Sequence, residues 1–253
     1  DMRTELTPEE EAALEKYIEQ GGNLVFMGEP SHRETQNKVL NKFFGLELTP
    51  LLVGPDVRFK GSLTANVLAA VPTQRSKELM YPMKNSYRIA HENCAGIEEV
   101  ENKGFKVEAL VSTDTTGPVW TELETTDFVD DTVKFNPTVG EISKVFNTVV
   151  GLTRQVGNRE QRIMVTGDAD CLSNNEFVIT RGVSAANVNL LTGCALWMTS
   201  GELPLDMRRP DMKDNSVSVS MAWYRVFKAG FKFGLPILLL GIGVFIWFRR
   251  RGR

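Results

Sequence analysis

The sequence predicts an α/β protein with an open, mostly parallel sheet, followed by one C-terminal transmembrane helix. Three observations lead to this expectation. A capped helix leads directly into a continuous apolar run over residues 23–28, and a second such run over residues 162–167 precedes another helical pattern. Residues 233–248 carry no charge and are followed by a basic tail. Short continuous apolar runs are typical of strands that are covered on both faces, as in parallel sheets.

The first helix is predicted by its capping residues. Thr7 is a suitable N-cap, Pro8 suits the first helical position, and Glu10 completes a capping box. An apolar stripe at helical spacing follows, and the glycines at 21–22 end the helix. The run over residues 23–28 then predicts a buried parallel strand.

Helix and strand patterns alternate again at both ends of the chain. A helical pattern over residues 39–44 precedes a short strand pattern at 46–48. Near the other end, residues 162–167 predict a buried strand, 168–176 the loop at its carboxyl end, and 187–197 a helix. Both ends of the body are therefore expected to be α/β.

The remaining segments give the predicted domain organisation. Residues 53–160 contain short β-like runs between turns rich in Gly, Pro, Asn and Thr, which we interpret as an insertion or a β-rich flank of the same sheet. One extracytoplasmic domain is expected over residues 1–202. A linker is expected over 203–227, a transmembrane helix over 228–248 and a cytoplasmic tail over 249–253.

The C-terminal apolar segment is the clearest signal in the sequence. Its 16 uncharged residues, 233–248, give about 24 Å of helix, and the stem of Lys232 can snorkel to supply the missing turn. Pro236 is tolerable if it lies in or near the first turn. A buried helix of a soluble domain is the alternative, but three successive arginines directly after Trp247-Phe248 fit a membrane interface better.

Charge at the two ends of this segment predicts its orientation. Two lysines, Lys228 and Lys232, flank one end, whereas four arginines flank the other: Arg249, Arg250, Arg251 and Arg253. Because basic residues are retained on the cytoplasmic side, the tail is expected inside and the body outside the cytoplasmic (inner) membrane. Three small residues in the helix would allow another helix to approach closely: Gly234, Gly241 and Gly243.

The distribution of charge also bears on possible partners. The net charge is −3, and residues 228–253 contain six basic and no acidic residues, which leaves −9 for residues 1–227. Backbone phosphates require compensating clusters of Lys and Arg. An acidic body therefore argues against nucleic acid as a partner.

Cysteine and histidine usage predicts neither a disulfide framework nor a metal site. Cys94, Cys171 and Cys194 are sparse and lack a CxxC pair, so buried free thiols are expected. His32 and His91 do not stand at a metal-ligand spacing, and surface or capping roles are expected for both. The sequence also lacks GxSxG, GxxxxGK[ST] and GxGxxG patterns. We thus expect no catalytic, cofactor-binding or metal-binding residues.

One acidic motif leaves two interpretations open. Asp168 and Asp170 follow a buried strand, at the usual ligand position of open α/β sheets. They could hold Mg²⁺ for phosphoryl transfer, as in haloacid-dehalogenase-like phosphatases, but Cys171 and Leu172 depart from that motif. Alternatively, both acids cap the loop by accepting backbone N–H bonds, which we favour. Glu29 occupies an analogous position after the first strand and is interpreted in the same way.

Several segments, taken in order, resemble the GldG-type auxiliary proteins of ABC transporters. The segments are residues 7–28 with Gly-Gly-Asn-Leu-Val-Phe-Met-Gly, residues 110–114, Trp120-Thr-Glu, residues 161–174, the helix over 189–197 and the membrane helix with its arginine-rich end. The resemblance covers most of the chain. It implies an extracytoplasmic domain of the class I glutamine-amidotransferase-like or flavodoxin-like kind, without a catalytic cysteine. It also implies that the preceding strands of the fold and an upstream membrane segment lie outside this sequence.

The function that this resemblance implies is non-enzymatic. We expect a membrane-anchored accessory component of an ABC transporter of the export or gliding-machinery type. Its body would bind partner proteins or substrate outside the membrane, and its helix would pack on the permease while a separate ATPase subunit hydrolyses ATP. The alternatives are a membrane-tethered, metal-dependent phosphohydrolase that uses Asp168 and Asp170, and a glycan- or peptide-binding module.

Overall fold

The structure is a computed structural model with two compact units, Asp1–Met207 and Arg208–Arg253. It describes residues 2–54, 67–80, 83, 87–113, 117–124, 133–173, 186–200 and 221–251. Outside the described residues lie positions 203–220 of the predicted linker, the end of the predicted loop at 174–176, and Arg253.

The first unit contains four described helices and nine strands. The helices are α1 (Pro8–Glu19), α2 (Arg33–Phe44), α3 (Gln74–Leu79) and α4 (Asn187–Met198). The strands are β1 (Leu24–Met27), β2 (Leu46–Val53), β3 (Val67–Pro72), β4 (Ile89–Glu92), β5 (Ala95–Glu99), β6 (Lys106–Thr113), β7 (Trp120–Thr121), β8 (Asn147–Val156) and β9 (Arg159–Thr166). Short 3₁₀ turns occupy Pro30–His32, Pro137–Val139 and Asp170–Leu172.

Helix α1 forms as its capping residues predict. The Thr7 hydroxyl accepts a bond from the Glu10 N–H at 3.3 Å, and the Glu10 carboxylate accepts one from the Thr7 N–H at 2.8 Å. These two bonds satisfy donors that a helix start otherwise leaves without partners. The predicted boundaries of α1 and α4 are confirmed to within about two residues.

All nine strands form one sheet whose central strand is β8. Strand β6 pairs along one side of β8, followed by β3 and β4. On the side away from β6, β8 pairs with β9 over most of its length and with β5 at Asn147. Strand β1 extends the sheet beyond β9, whereas β2 and β7 extend it beyond β5.

The prediction of an open, mostly parallel sheet of the glutamine-amidotransferase-like or flavodoxin-like kind is wrong. Among the strand pairs of the described residues, only β1 with β9 is parallel, and the other seven are antiparallel. One physical reason is the two-residue turn at Gly157 and Asn158, which reverses the chain between β8 and β9. Gly157 takes a φ of +60°, as hairpin turns of this length require. The β-rich section also supplies the central strands β6 and β8, and so is not a flank of a parallel sheet.

Helices pack on both faces of this sheet. Neighbouring residues of β9 point to opposite faces, so Ile163 joins a cluster with Leu40 and Phe44 of α2, whereas Met164 joins one with Leu190 and Trp197 of α4. A third cluster consists of Leu52, Leu68, Cys94, Val119 and Phe146. Strand β1 was expected to be covered on both faces. It is instead half-buried throughout, because it pairs only with β9 among the described strands.

The second unit is a single long helix in its described part. Helix α5 (Met221–Ala229) continues through a π-helical turn at Gly230–Gly234 into α6 (Leu235–Arg251). The last part of the predicted linker, residues 221–227, is therefore helical, and Pro236 lies well inside the helix. In a regular α-helix, a proline ring clashes with the carbonyl four residues earlier. For Pro236 that carbonyl lies within the wider π turn at Gly230–Gly234.

Candidate functional site

The site is built where β1, β4 and β9 end. Glu29 follows β1 and Asp168 follows β9, and the parallel pairing of these strands places both residues at the same edge of the sheet. His91 lies in β4, which is joined to this region by bonds to the loop after β9. The structure thus brings together two acidic residues that the sequence singled out, together with a histidine that it did not.

The Asp168 carboxylate is fully buried and surrounded by donors. Its Oδ1 accepts the N–H groups of Asp170 at 2.8 Å and of Cys171 at 3.1 Å. Its Oδ2 accepts the N–H of Glu92 at 2.9 Å and lies 3.2 Å from Nδ1 of His91. Asp168 therefore holds the start of the loop after β9 and ties that loop to the end of β4.

Asp170 occupies a different environment. Its side chain is exposed, whereas that of Asp168 has no exposed surface. Asp170 begins the 3₁₀ turn Asp170–Leu172, where its carbonyl accepts the N–H of Ser173 at 2.8 Å. The two acids of the motif are thus not an equivalent pair facing one ligand.

Glu29 is half-buried and carries a perturbed carboxyl group. Burial, followed by the negative charges of Asp168 and Asp170, raises the pKa of Glu29 to about 7. The Ser31 hydroxyl donates to Glu29 Oε1 at 3.4 Å, and the Glu29 N–H donates to Gln36 Oε1 at 2.8 Å. Because its carboxyl is destabilised as an anion, Glu29 exchanges a proton near neutral pH.

The surface or capping role that was expected of His91 is wrong. Its side chain has no exposed surface, Nδ1 faces Asp168, and Nε2 is buried without a hydrogen-bond partner among the described residues. A buried imidazole nitrogen without a partner is costly. His91 was missed because nothing within β4 signals that a carboxylate 77 positions along the chain will lie beside it.

All three cysteines are buried thiols that form no disulfide, as expected. The Cys171 thiol donates to the Asp168 carbonyl at 3.2 Å, and the Cys94 thiol donates to the Ala95 carbonyl at 3.1 Å. Burial raises the pKa of the Cys94 thiol well above its usual value, and the charge of Asp168 adds to this effect. Burial alone raises the pKa of Cys194, on α4, to about 11. Neither of these two thiols is poised as a nucleophile.

Chemically distinct side chains converge at the centre of this cluster. One ring nitrogen of His91, one carboxylate oxygen of Asp168 and the sulfur of Cys171 all lie within 4.8 Å of one another. Asn187, at the start of α4, supports the arrangement. Its side chain exchanges two bonds with the backbone of Ala90 and donates to the Cys171 carbonyl at 2.7 Å. We refer to His91, Asp168 and Cys171 as the buried cluster.

A second buried acid pair lies elsewhere in the first unit. Glu122 accepts the Trp120 indole N–H at 3.2 Å, and Glu141 accepts the backbone N–H groups of Leu123 at 3.2 Å and Asn136 at 2.6 Å. Burial, together with the neighbouring Glu141, raises the pKa of Glu122. These bonds tie residues 120–124 to residues 136–141, so the pair has an evident structural role.

The second unit contains the residues that were predicted to lie in or beside the membrane. Within the described residues, the helix Trp223–Arg251 is the one segment that is long and apolar enough to span a membrane, and none of its hydrophobic window is buried. A Cβ atom built at Gly234, Gly241 or Gly243 would meet no atom within 4 Å beyond the chain neighbours and the nearby helix backbone. Arg249, Arg250 and Arg251 form its last turn.

Comparisons with known proteins give little further information. The chain matches no model of a protein family and no curated protein. Among solved structures it is similar to one described as "mmIFT52 N-terminal domain", with 14% identity and a TM-score of 0.46. That match covers 80% of this chain and 76% of the other. Similarity at this level assigns neither a fold nor a function.

Proposed function

We propose that this protein is a non-enzymatic, membrane-anchored accessory component of an ABC transporter of the export or gliding-machinery type. The long apolar helix Trp223–Arg251 is the observation that carries the membrane anchor. The resemblance of the chain to GldG-type auxiliary proteins is what supports the link to a transporter. In this proposal the first unit binds a partner protein or substrate outside the cytoplasmic membrane.

The dimensions of the helix support insertion into a bilayer. Its 29 residues correspond to about 43 Å of α-helix, which matches a bilayer including its headgroup regions. Trp223 and Trp247 lie near its two ends, and aromatic residues of this kind favour the two membrane interfaces. Arg251 stacks over the Trp247 ring at 4.9 Å, which groups an aromatic and a basic side chain at one end.

The positions of Asp168 and Asp170 argue against phosphoryl transfer. A phosphohydrolase would need Asp168 and Asp170 to face a common Mg²⁺ and a substrate. Asp168 has no exposed surface that a phosphorylated substrate could reach. Asp170 is exposed to solvent. The phosphohydrolase alternative therefore has no support in the geometry of these two acids.

The proposal is tested by recovering the protein with its neighbours in the membrane. After crosslinking in membranes and solubilisation in mild detergent, a tagged full-length chain should co-purify with an ABC permease and its ATPase. The double substitution Gly241→Leu, Gly243→Leu should weaken this recovery, because larger side chains keep a neighbouring helix away. Circular dichroism of the variant should match that of the unmodified protein.

A matched control separates the effect of added bulk at the two glycines from that of any apolar substitution in the helix. Ile246→Leu changes the shape of an apolar side chain in the same helix and keeps its volume, so recovery should be unchanged. If the unmodified protein is recovered alone from cells that express the transporter, the accessory role is wrong.

A further inference from the structure

We propose that the buried cluster, His91, Asp168 and Cys171, binds one divalent metal ion of the zinc type. His91 comes from β4, whereas Asp168 and Cys171 lie three residues apart in the loop after β9, and the three side chains meet in the interior of the first unit. The sequence predicted no metal site because these residues follow no familiar ligand spacing. The fold brings them together.

The donor atoms select the class of metal. The cluster offers one imidazole nitrogen, one carboxylate oxygen and one sulfur, each of which is a common ligand of Zn²⁺. Ca²⁺ and Mg²⁺ prefer six or more oxygen ligands, whereas this cluster supplies one carboxylate. The thiol therefore favours zinc or a similar borderline-soft ion over a hard cation.

The spacing of the ligand atoms fits tetrahedral coordination. Two ligand atoms that each lie about 2.0–2.2 Å from a tetrahedral ion are about 3.3–3.6 Å apart. His91 Nδ1 and Asp168 Oδ2 are 3.2 Å apart, and the sulfur of Cys171 lies within 4.8 Å of both residues' ligand atoms. To reach a common centre, the Cys171 sulfur would exchange its hydrogen bond to the Asp168 carbonyl for a bond to the metal.

Hydrogen bonding within the protein does not fully satisfy the cluster. Oδ2 of Asp168 accepts one backbone N–H, from Glu92, and its other contact is His91. The second ring nitrogen of His91, Nε2, is buried and without a partner. With the metal on Nδ1, the proton of the neutral imidazole would lie on Nε2, so the ion would replace the contact between Nδ1 and Asp168.

The neighbouring bonds hold the ligands in place, as supporting residues do in metal sites. The backbone N–H groups of Asp170 and Cys171 fix Asp168 Oδ1. The Asn187 amide fixes the backbone on either side, at Ala90 beside His91 and at Cys171. The ion would therefore join β4 to the loop after β9 within a frame that the protein already provides.

Binding requires the Cys171 thiol to lose its proton. The S–H bond breaks, the sulfur keeps the electron pair and donates it to the metal, and the proton leaves to solvent. No electrons are exchanged, because Zn²⁺ has no accessible second oxidation state. The cluster is fully buried, so the ion would stabilise the first unit by joining β4 to the loop after β9.

The test uses the full-length protein purified in detergent from zinc-supplemented cells. After dialysis against metal-free buffer, elemental analysis should find stoichiometric zinc. Replacement of zinc by Co²⁺ should give the near-ultraviolet absorption of a thiolate-to-cobalt bond. Both signals should be lost in Cys171→Ala and His91→Ala, and both should persist in Cys194→Ala, which removes a buried thiol from α4 instead.

Zinc content and the cobalt band of the unmodified protein still test the proposal if the two cluster variants fail to fold. A thiolate-to-cobalt band in the unmodified protein that persists in Cys194→Ala would then support it. Absence of zinc from the unmodified protein, together with no cobalt band on reconstitution, would overturn it. Zinc retained at the same stoichiometry by folded Cys171→Ala and His91→Ala would overturn it as well.

Discussion

His91 Nδ1 lies 3.2 Å from Asp168 Oδ2, and neither side chain has any exposed surface. The two residues stand 77 positions apart, in β4 and in the loop after β9. These segments do not pair as strands, so the side-chain contact and the backbone bonds around it join them. The pair therefore links two parts of the fold that the sheet hydrogen bonds leave separate.

Loss of the Asp168 charge should destabilise the protein without removing an enzymatic activity. Asp168→Asn keeps one acceptor oxygen but replaces the other oxygen with an NH2 group, which cannot accept a bond from an N–H. We expect the free energy of unfolding to fall by about 2–4 kcal/mol, because a buried donor loses its charged partner. Urea denaturation of the full-length protein in detergent, followed by circular dichroism, measures this change.

Asp170→Asn is the matched control for that experiment. The Asp170 side chain is exposed, so its replacement should change the free energy of unfolding by less than about 0.5 kcal/mol. Equal effects of the two substitutions would contradict the distinct roles that the structure gives these acids. Metal-dependent phosphatase activity lost in both variants at unchanged stability would contradict the structural role itself.

Helix α1 could be predicted from sequence because its determinants are local. Thr7 and Glu10 are three residues apart, and their reciprocal bonds depend only on the chain that contains them. Helix α4 was also predicted, over residues 187–197, and lies at Asn187–Met198. Strands β1 and β9 were also located correctly, and they do pair in parallel.

Strand direction and the buried cluster could not be predicted in this way. An apolar run shows that a strand is buried but not which neighbour it pairs with or in which direction. Strands β8 and β9 are the exception, because the Gly157-Asn158 turn is a local signal for their antiparallel pairing. Nothing local places His91 beside Asp168, since their contact depends on how the completed sheet is connected.

Gly167 should not tolerate a side chain. A Cβ atom at this position would lie 1.9 Å from the Ala95 carbonyl oxygen, and the Gly167 carbonyl already accepts the Ala95 N–H at 2.8 Å. Backbone would have to move, so Gly167→Ala should lower the free energy of unfolding by about 3 kcal/mol or more. Gly104→Ala meets no atom within 4 Å and has only its φ of +81° to oppose it, so about 1 kcal/mol is expected. Similar losses in the two variants would show that the predicted clash is relieved.

Glu29 should make stability depend on pH. Its pKa is raised from 4.5 to about 7, so the folded protein holds this proton more tightly than the unfolded chain does. The stabilisation is complete below about pH 4.5 and is lost as the pH rises to about 7. Glu29→Gln should remove this loss, which we place at about 1–2 kcal/mol because a half-buried carboxyl is screened by solvent.

Unfolding at about pH 5 and about pH 8 measures the effect of Glu29. The protein is first treated with a chelator, so that only the charges of the side chains act on the carboxyl. Glu34→Gln is the control, since this glutamate of α2 is exposed. If Glu29→Gln retains the full pH dependence of the unmodified protein, Glu29 does not titrate as inferred.

The arginine-rich end of α6 should fix the orientation of the anchor. With the tail inside, a reporter that works only in the cytoplasm should be active when fused after the last residue, and protease added to spheroplasts should remove residues 1–227. Replacing Arg249, Arg250 and Arg251 by Asn leaves Lys228 and Lys232 as the stronger basic flank, so a fraction of the chains should insert with the body protected. Replacing Lys228 and Lys232 by Asn instead should leave the orientation unchanged, because it only strengthens the charge difference. Protection of residues 1–227 in the unmodified protein would reverse the proposed topology.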